Sequence, residues 1–311
     1  MIREKLKVIA AKIETNYAVD PVPNPATDAM LVENLSLTPL EANEIVPDGV
    51  VRSSFGAELA IALTGKQVKI EFDVPYQGAG TPGGVPFFGT LLRGAGFAQV
   101  VTGGVSCAYN TVTGGEESLT IQLWRDGIVH KAVGCRGDWS LKLDAGGRLM
   151  QHFAFTGLYQ PVADAALPAA TLPPRREIPV DAANTPTFTL MGTALALKSL
   201  EIKRANDVQF QQLVNDTRVD ILGRKPEGSA TVRESLTASF NAWQMAEAGT
   251  TGALSLVHGN TAGNIVEINC PNVQIGKPGL GAENGVSMLT LPLRIASTSP
   301  SANDDIQLVV R

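Results

Sequence analysis

Histidine, cysteine and aromatic residues are all scarce in this chain. It has three His, three Cys, ten Phe, four Tyr and three Trp in 311 residues. His130, His152 and His258 stand apart from one another and from every cysteine, so no pair has metal-ligand spacing. Cys107, Cys135 and Cys270 are odd in number and form no C-x-x-C pair. They read as small, reduced core residues and not as a disulfide framework. Long apolar runs are missing too. The N-terminal MIREKLKVIAAKIE is charged throughout, and its longest apolar stretch, Val8 to Ala11, is too short for a secretory signal core. No stretch approaches the roughly 18 apolar residues of a membrane helix. The expectation is a chain assembled in a cytoplasm with no membrane anchor of its own. Nor is there an excess of positive charge. The formal net charge is −5, with both halves slightly acidic, which argues against a basic nucleic-acid clamp.

Catalytic signatures fail one by one. Gly78, Gly80 and Gly83 form a literal G-x-G-x-x-G in YQGAGTPGGVPFF. A dinucleotide site needs a continuously apolar strand before the glycines, but here the strand alternates with charges. It also needs an acid about 20 residues on, and no Asp or Glu lies between Val74 and Gly115. Pro82 removes a backbone N–H from the cradle. The glycines read as a bend from strand to helix. No G-x-S-x-G elbow occurs. The carboxylate pairs Glu116-Glu117 and Asp304-Asp305 sit in turn-like or terminal segments, where solvation accounts for them. The reading is no enzyme and no cofactor.

What is present is a texture of short strands and turns. KQVKIEFDV alternates, with Val68, Ile70, Phe72 and Val74 on one face and Lys69, Glu71 and Asp73 on the other. Trp139, Leu141 and Leu143 alternate in the same way against Ser140, Lys142 and Asp144. The runs VSCAYNTV, SLTIQLW, IVHKAVG, DWSLKLD and RLMQHFAFTGLY are strand-like, with Gly-rich turns between them. Val85 to Phe97 predicts a helix with Phe88, Leu91, Leu92 and Ala95 on one side. Residues 1–28 read as an arm, with a short helix over Arg3 to Glu14 and then a stretch broken by Pro21, Pro23 and Pro25. Residues 29–160 form a first β-rich domain. Residues 161–187, with Pro161, Pro168, Pro173, Pro174, Pro179 and Pro186, read as a stiff linker. Residues 188–311 repeat the order of strands, one helix around Ala238 to Ala248, then strands. The expected fold is mainly β: two tandem sandwich or barrel domains, each with one short flanking helix.

The first half resembles a known family. KIETNYAVDPVPNPATDAMLVENLSLTPLE is similar to the opening of the major tail tube proteins of long-tailed, siphovirus-like bacteriophages. It carries the E-x-x-Y-x-x-D-P turn of Glu14, Tyr17, Asp20 and Pro21. GAGTPGGVPFFGTLLRGAGF and the segment ESLTIQLW to the G-x-Y end at Gly157 and Tyr159 fit the same family. The resemblance implies subunits that join their sheets edge to edge into rings. The rings stack into a tube, and double-stranded DNA passes through it without specific binding. The partners it implies are the chain itself and the tail tip, tape-measure and terminator proteins. It implies a place in the virion tail after assembly in the host cytoplasm. Lys69, Glu71, Asp73, Ser140, Lys142 and Asp144 are then candidates for the lumen, though the same polar faces also suit an ordinary solvated surface. Glu14, Tyr17, Asp20 and Pro21 are candidates for an inter-subunit arm, and Gly78, Gly80 and Gly83 for an inter-ring loop. If six copies of the fold build a ring, a two-copy chain predicts a trimer with pseudo-sixfold symmetry. A second domain that merely decorates the tube predicts a hexamer.

An adhesion or glycan-binding β-sandwich module is the other class to weigh. It would call for exposed aromatic clusters or a D-x-[DN]-x-[DN]-G calcium loop. The aromatics are few and no such loop occurs.

Overall fold

A computed structural model describes residues 2–46, 50–51 and 60–311. Its fold is mainly β and every strand pairing is antiparallel. The first half runs β1 (Lys7–Ile13), β2 (Glu33–Ile45), β3 (Ala62–Pro75), α1 (Gly89–Gly94), β4 (Phe97–Thr102) and β5 (Ser106–Thr111). It closes with β6 (Leu119–Arg125), β7 (Gly127–Asp144) and β8 (Met150–Tyr159), and β9 (Ala163–Ala165) follows. The second half opens with β10 (Thr187–Leu190), β11 (Thr193–Ala194), β12 (Leu197–Lys203), β13 (Asn206–Leu213), β14 (Asp216–Arg224) and β15 (Glu227–Arg233). Then come α2 (Ala242–Glu247), β16 (Thr251–His258), β17 (Val266–Ile275), β18 (Gly279–Glu283), β19 (Val286–Ala296) and β20 (Gln307–Val310).

The two halves pair their strands in the same order. In the first, β1 pairs β6, β6 pairs β7, β7 pairs β8, β8 pairs β3 and β3 pairs β2. In the second, β10 pairs β16, β16 pairs β17, β17 pairs β19, β19 pairs β15 and β15 pairs β12. The helix falls at the same place in both, after β3 and after β15. The long strands β7 and β17 each serve two layers. β7 breaks register against β8 between Val133 and Arg136, at Gly134. Its first half pairs β6 and its second half pairs β8. β17 likewise pairs β16 first and β19 last, and β18 then extends the same edge along β19.

Each pair of layers encloses apolar side chains at alternate positions. Val68, Ile70, Phe72 and Val74 of β3 are buried beside Phe153, Phe155, Trp139, Leu141 and Leu143. Leu91 and Leu92 of α1 are fully buried between the layers. In the second half Leu200, Ile202, Ala230, Val232, Leu289, Leu291, Leu293 and Ile295 do the same work. Burial pushes the thiols of Cys107, Cys135 and Cys270 upward, that of Cys270 to about 12. Native protein is therefore expected to leave all three unlabelled by a thiol reagent, with labelling only after denaturation. Fast labelling of the native chain would contradict this packing.

Several sequence expectations need correction. Arg3 to Glu14 holds no helix: Lys7–Ile13 is a strand, in register with β6 from Lys7–Arg125 to Ile13–Leu119. A helix of that length is marginal alone, whereas the strand gains a full ladder and buries Ile9, Ala10 and Ala11. The first helix is only Gly89–Gly94, because Gly96 at φ +84° turns the chain into β4. The second spans Ala242–Glu247, capped by the Asn241 side chain. IVHKAVG and DWSLKLD belong to one strand, β7.

Candidate functional site

Directly opposed residues in a ladder point to the same face. That rule links the two sequence-predicted trios. Asp73 is opposite His152, His152 is opposite Ser140, and Ser140 is opposite Lys203. Lys142 is opposite Glu201, and Asp144 opposite Ser199. Lys69, Glu71, Asp73, Ser140, Lys142 and Asp144 therefore share one polar face, which continues into the second half. The charges on it are largely compensated at short range. Lys69 pairs with Glu41 at 2.7 Å, Lys142 with Asp144 at 3.3 Å and Lys203 with Glu201 at 2.9 Å. Asp73 accepts a hydrogen bond from Asn34 at 2.7 Å and lies 2.8 Å from His152 Nδ1.

The same sheet crosses from one half to the other without a break. β12 pairs the second half of β7 from Ser199–Asp144 to Lys203–Ser140. The strand order is β2-β3-β8-β7 and then β12-β15-β19, with β17 and β18 sharing the last place. Among the described residues, β2 has β3 as its only ladder partner and β18 has only β19. Both outer edges thus carry unpaired backbone groups. Sequence reasoning did not find these edges. β18 alternates too little to be read as a strand, and most of it is exposed.

A second seam seals the halves on the other layer. The C-terminal β20 pairs β17 on one side and β5 on the other. Beside it lies a buried polar cluster. Asp305, 2% exposed, accepts from Thr111 Oγ1 at 2.7 Å and from Arg224 at 2.9 and 3.0 Å. Arg204 is buried with its guanidinium 4.7 Å over the Phe97 ring and donates to the Ala95 carbonyl. Burial, with repulsion from Arg224, pulls its pKa down to about 10.

The segment expected to reach a neighbour is engaged within its own chain. Glu14, 7% exposed, accepts from Ser118 Oγ at 2.6 Å, Thr120 Oγ1 at 2.7 Å, Gly134 N at 2.7 Å and Ala18 N at 2.8 Å. Tyr17 accepts from Val219 N at 2.6 Å, and the Arg136 and Arg218 guanidinia lie 5.3 and 5.5 Å from its ring. Its phenol pKa is raised, chiefly by burial. Asp20 pairs with Lys131. Pro21 follows in a stretch without regular secondary structure. The E-x-x-Y-x-x-D-P turn is thus a staple from the β1 exit onto β6, β7 and β14. Gly134 sits at φ +61°, and a Cβ there would meet the Tyr17 ring at 2.9 Å.

The glycine bend is likewise held inside the chain. Gly78 N donates to Asn264 Oδ1 at 2.8 Å and Gly80 N to the Gly263 carbonyl at 2.7 Å. A Cβ on Gly78 would lie 2.2 Å from the Gly263 oxygen, so the absence of a side chain permits backbone-to-backbone contact. A Cβ on Gly83 would meet Gly104 N at 2.6 Å. The proline-rich segment docks here as well. Gln77 donates to the Pro174 carbonyl at 2.8 Å and accepts from Arg176 N at 2.7 Å. Its end is fixed where Thr185 Oγ1 lies 2.9 Å from His258 Nδ1.

His258 is 3% exposed, and burial holds its pKa below the ordinary imidazole value. The folded state then resists a proton that the unfolded chain takes up near pH ~6.5. This contribution to stability is present above that pH and is lost as pH falls below it. Wild type is expected to lose more stability than His258→Gln between pH 7 and about 5.5, read from denaturant midpoints. Equal slopes would contradict it.

Among the described residues, no cluster of three or more His, Cys, Asp or Glu could hold a metal, and no helix is long and apolar enough to cross a membrane. The geometry is one of faces and edges. A family model described as phage tail tube protein matches residues 5–295, nearly the whole chain. The chain belongs to the phage tail tube protein family. No curated protein matches it at a significant level. Membership makes the protein a structural component of a phage tail, and the match runs through both halves of this tail tube protein.

Proposed function

We propose that this tail tube protein carries two copies of the tube fold. Three chains then close a ring of pseudo-sixfold symmetry, and the rings stack into the channel for DNA ejection. The single observation that carries this reading is the β7–β12 ladder. It joins two equivalent four-stranded units edge to edge inside one chain. Repeating that junction between chains brings β18 of one copy against β2 of the next. The sheet closes on itself and no edge is left exposed. Counting by the internal junction, where five residues face five, Asn34–Thr38 would lie opposite Gly279–Glu283.

In such a ring the polar face of Lys69, Glu71, Asp73, Ser140, Lys142 and Asp144 lines the lumen. Fixed rows of uncompensated cations would grip phosphate and release counterions. The paired charges on this face leave DNA hydrated and mobile. The role is mechanical and not catalytic.

Negative-stain imaging of concentrated protein tests the reading. Rings or hollow striated tubes are the expected result. Uniform small particles at every concentration, even with a tail-tip initiator added, would favour the adhesion module instead. Assembled tubes are also expected not to retard duplex DNA at physiological salt.

A further inference from the structure

The slot that β20 fills has two walls that do not depend on β20. One wall is β5, which pairs β4 from Phe97–Thr111 to Thr102–Ser106. The other is the first part of β17, which pairs β16 from Leu254–Cys270 to His258–Val266. The walls belong to different halves, so the slot exists only once both halves have folded and met. β20 spans only Gln307–Val310, comes last in the chain, and is too short to hold a conformation alone. In the slot it pairs Cys107–Asn110 on one side and Val266–Asn269 on the other. Ile306, Leu308 and Val310 are buried there.

The first half shows the same strand with one wall missing. Matching bulges align the halves: Leu119–Cys135 and Ile121–Ala132 flank one, Gly252–Val273 and Leu254–Cys270 the other. Counted on from those bulges, Ile128 of β7 matches Val266 of β17. β9 lies on β7 by the pairs Val129–Ala163 and Ile128–Asp164, the register of Glu267–Val309 and Val266–Val310. Among the described residues β9 has only β7 as a partner, and Ala163 and Asp164 are exposed. Val310, in the place of Asp164, is 1% exposed. The second wall makes the difference. It is supplied by the β4–β5 hairpin, which has no counterpart in the second half, where α2 leads directly to β16.

The ends of the slot add polar recognition. The buried Asp305 carboxylate accepts from Thr111 of the first half and from Arg224 of the second. Arg224 also donates to Asn303 at 3.0 Å. At the other end Arg311 pairs with Glu267.

We infer that the gap between β5 and β17 is a binding site for an extended peptide of the pattern D-I-x-L-x-V, and that the chain fills it last, with its own C-terminus, as a detachable latch. This goes beyond the ring proposed above and holds whatever the ring's size. An unlatched chain presents two strand edges, which invites exchange of C-termini between copies and aggregation.

Peptide exchange tests it. The turn Ser299–Ser301 is exposed. A specific protease site placed there lets the folded full chain be cut with residues 302–311 still in the slot. The cut chain is expected to keep its circular dichroism and to exchange its strand for a fluorescent synthetic peptide of residues 302–311. The same peptide carrying Asp305→Ala or Leu308→Asp is expected to compete at least ~10-fold less well. The uncut chain should take up none, because a tethered strand outcompetes a free one. In the unaltered chain, amides of Gln307–Val310 are expected to exchange with heavy water at least ~10-fold faster than those of Phe153–Phe155 in β8, through opening of the latch alone. Equal rates, or a cut chain that keeps its own strand until it unfolds, would make β20 an inseparable part of the core and overturn the latch. Unfolding of the cut chain as its strand leaves would overturn it too. Uptake by the uncut chain, or full competition by both altered peptides, would place the peptide elsewhere and overturn the site.

Discussion

A proline on the free edge of β18 is expected to abolish ring formation while the chain stays folded. In an antiparallel edge strand alternate N–H groups point to the partner and to the open side. β18 has β19 on one side. Of two adjacent variants, Gly281→Pro and Ala282→Pro, one therefore removes an outward N–H that the next copy's β2 would use. That variant should melt like wild type and show no rings at concentrations at least ~100-fold above the wild-type threshold, a loss of about 3 kcal/mol. The other should weaken the β18–β19 hairpin and show it as a lowered midpoint. Room for the ring is adequate at Gly281, where a Cβ would meet nothing closer than 3.9 Å. If both variants assemble like wild type, β18 is not the joining edge.

Removing the Glu14 carboxylate is expected to have the largest effect on folding stability. Four donors converge on it: Ser118 Oγ, Thr120 Oγ1, Gly134 N and Ala18 N. Glu14→Ala leaves them facing a void in a site closed to water, and should cost about 3 to 5 kcal/mol. Glu14→Gln preserves shape but puts an amide N–H₂ among donors, and should still cost about 2 kcal/mol. Thr120→Val removes a single bond and should cost about 1 kcal/mol. Equilibrium denaturation ranks the three. A Gln variant as stable as wild type would mean that the charge is not what the donors hold.

The legible parts of the sequence were those whose pattern is local. β3 and the end of β7 alternate over seven or more residues because one face meets core and the other meets water. Lys69, Glu71, Asp73, Ser140, Lys142 and Asp144 were found that way, and cross-strand registers place them on one face. β1 was misread because its partner, β6, is more than a hundred residues away, and only that ladder makes the strand favourable. β2 and β18 were hard to read because neither strand buries one face strongly, so neither shows a clean alternation. Glu14, Tyr17 and the glycine bend were visible as a motif, but their roles depend on donors and backbone brought in from distant segments. The repeat itself was legible as an order of elements. The junction between β7 and β12, which gives that order its consequence, required the registers.

The number of chains in one ring decides whether each chain supplies one or two copies of the tube fold to the wall. Native mass spectrometry of isolated rings, paired with averaged end-on images, gives it. A ring of three chain masses is expected, with six near-equivalent units around its inner wall. Six chain masses in a ring with six equivalent inner units would contradict it, because each chain would then supply only one half to the wall.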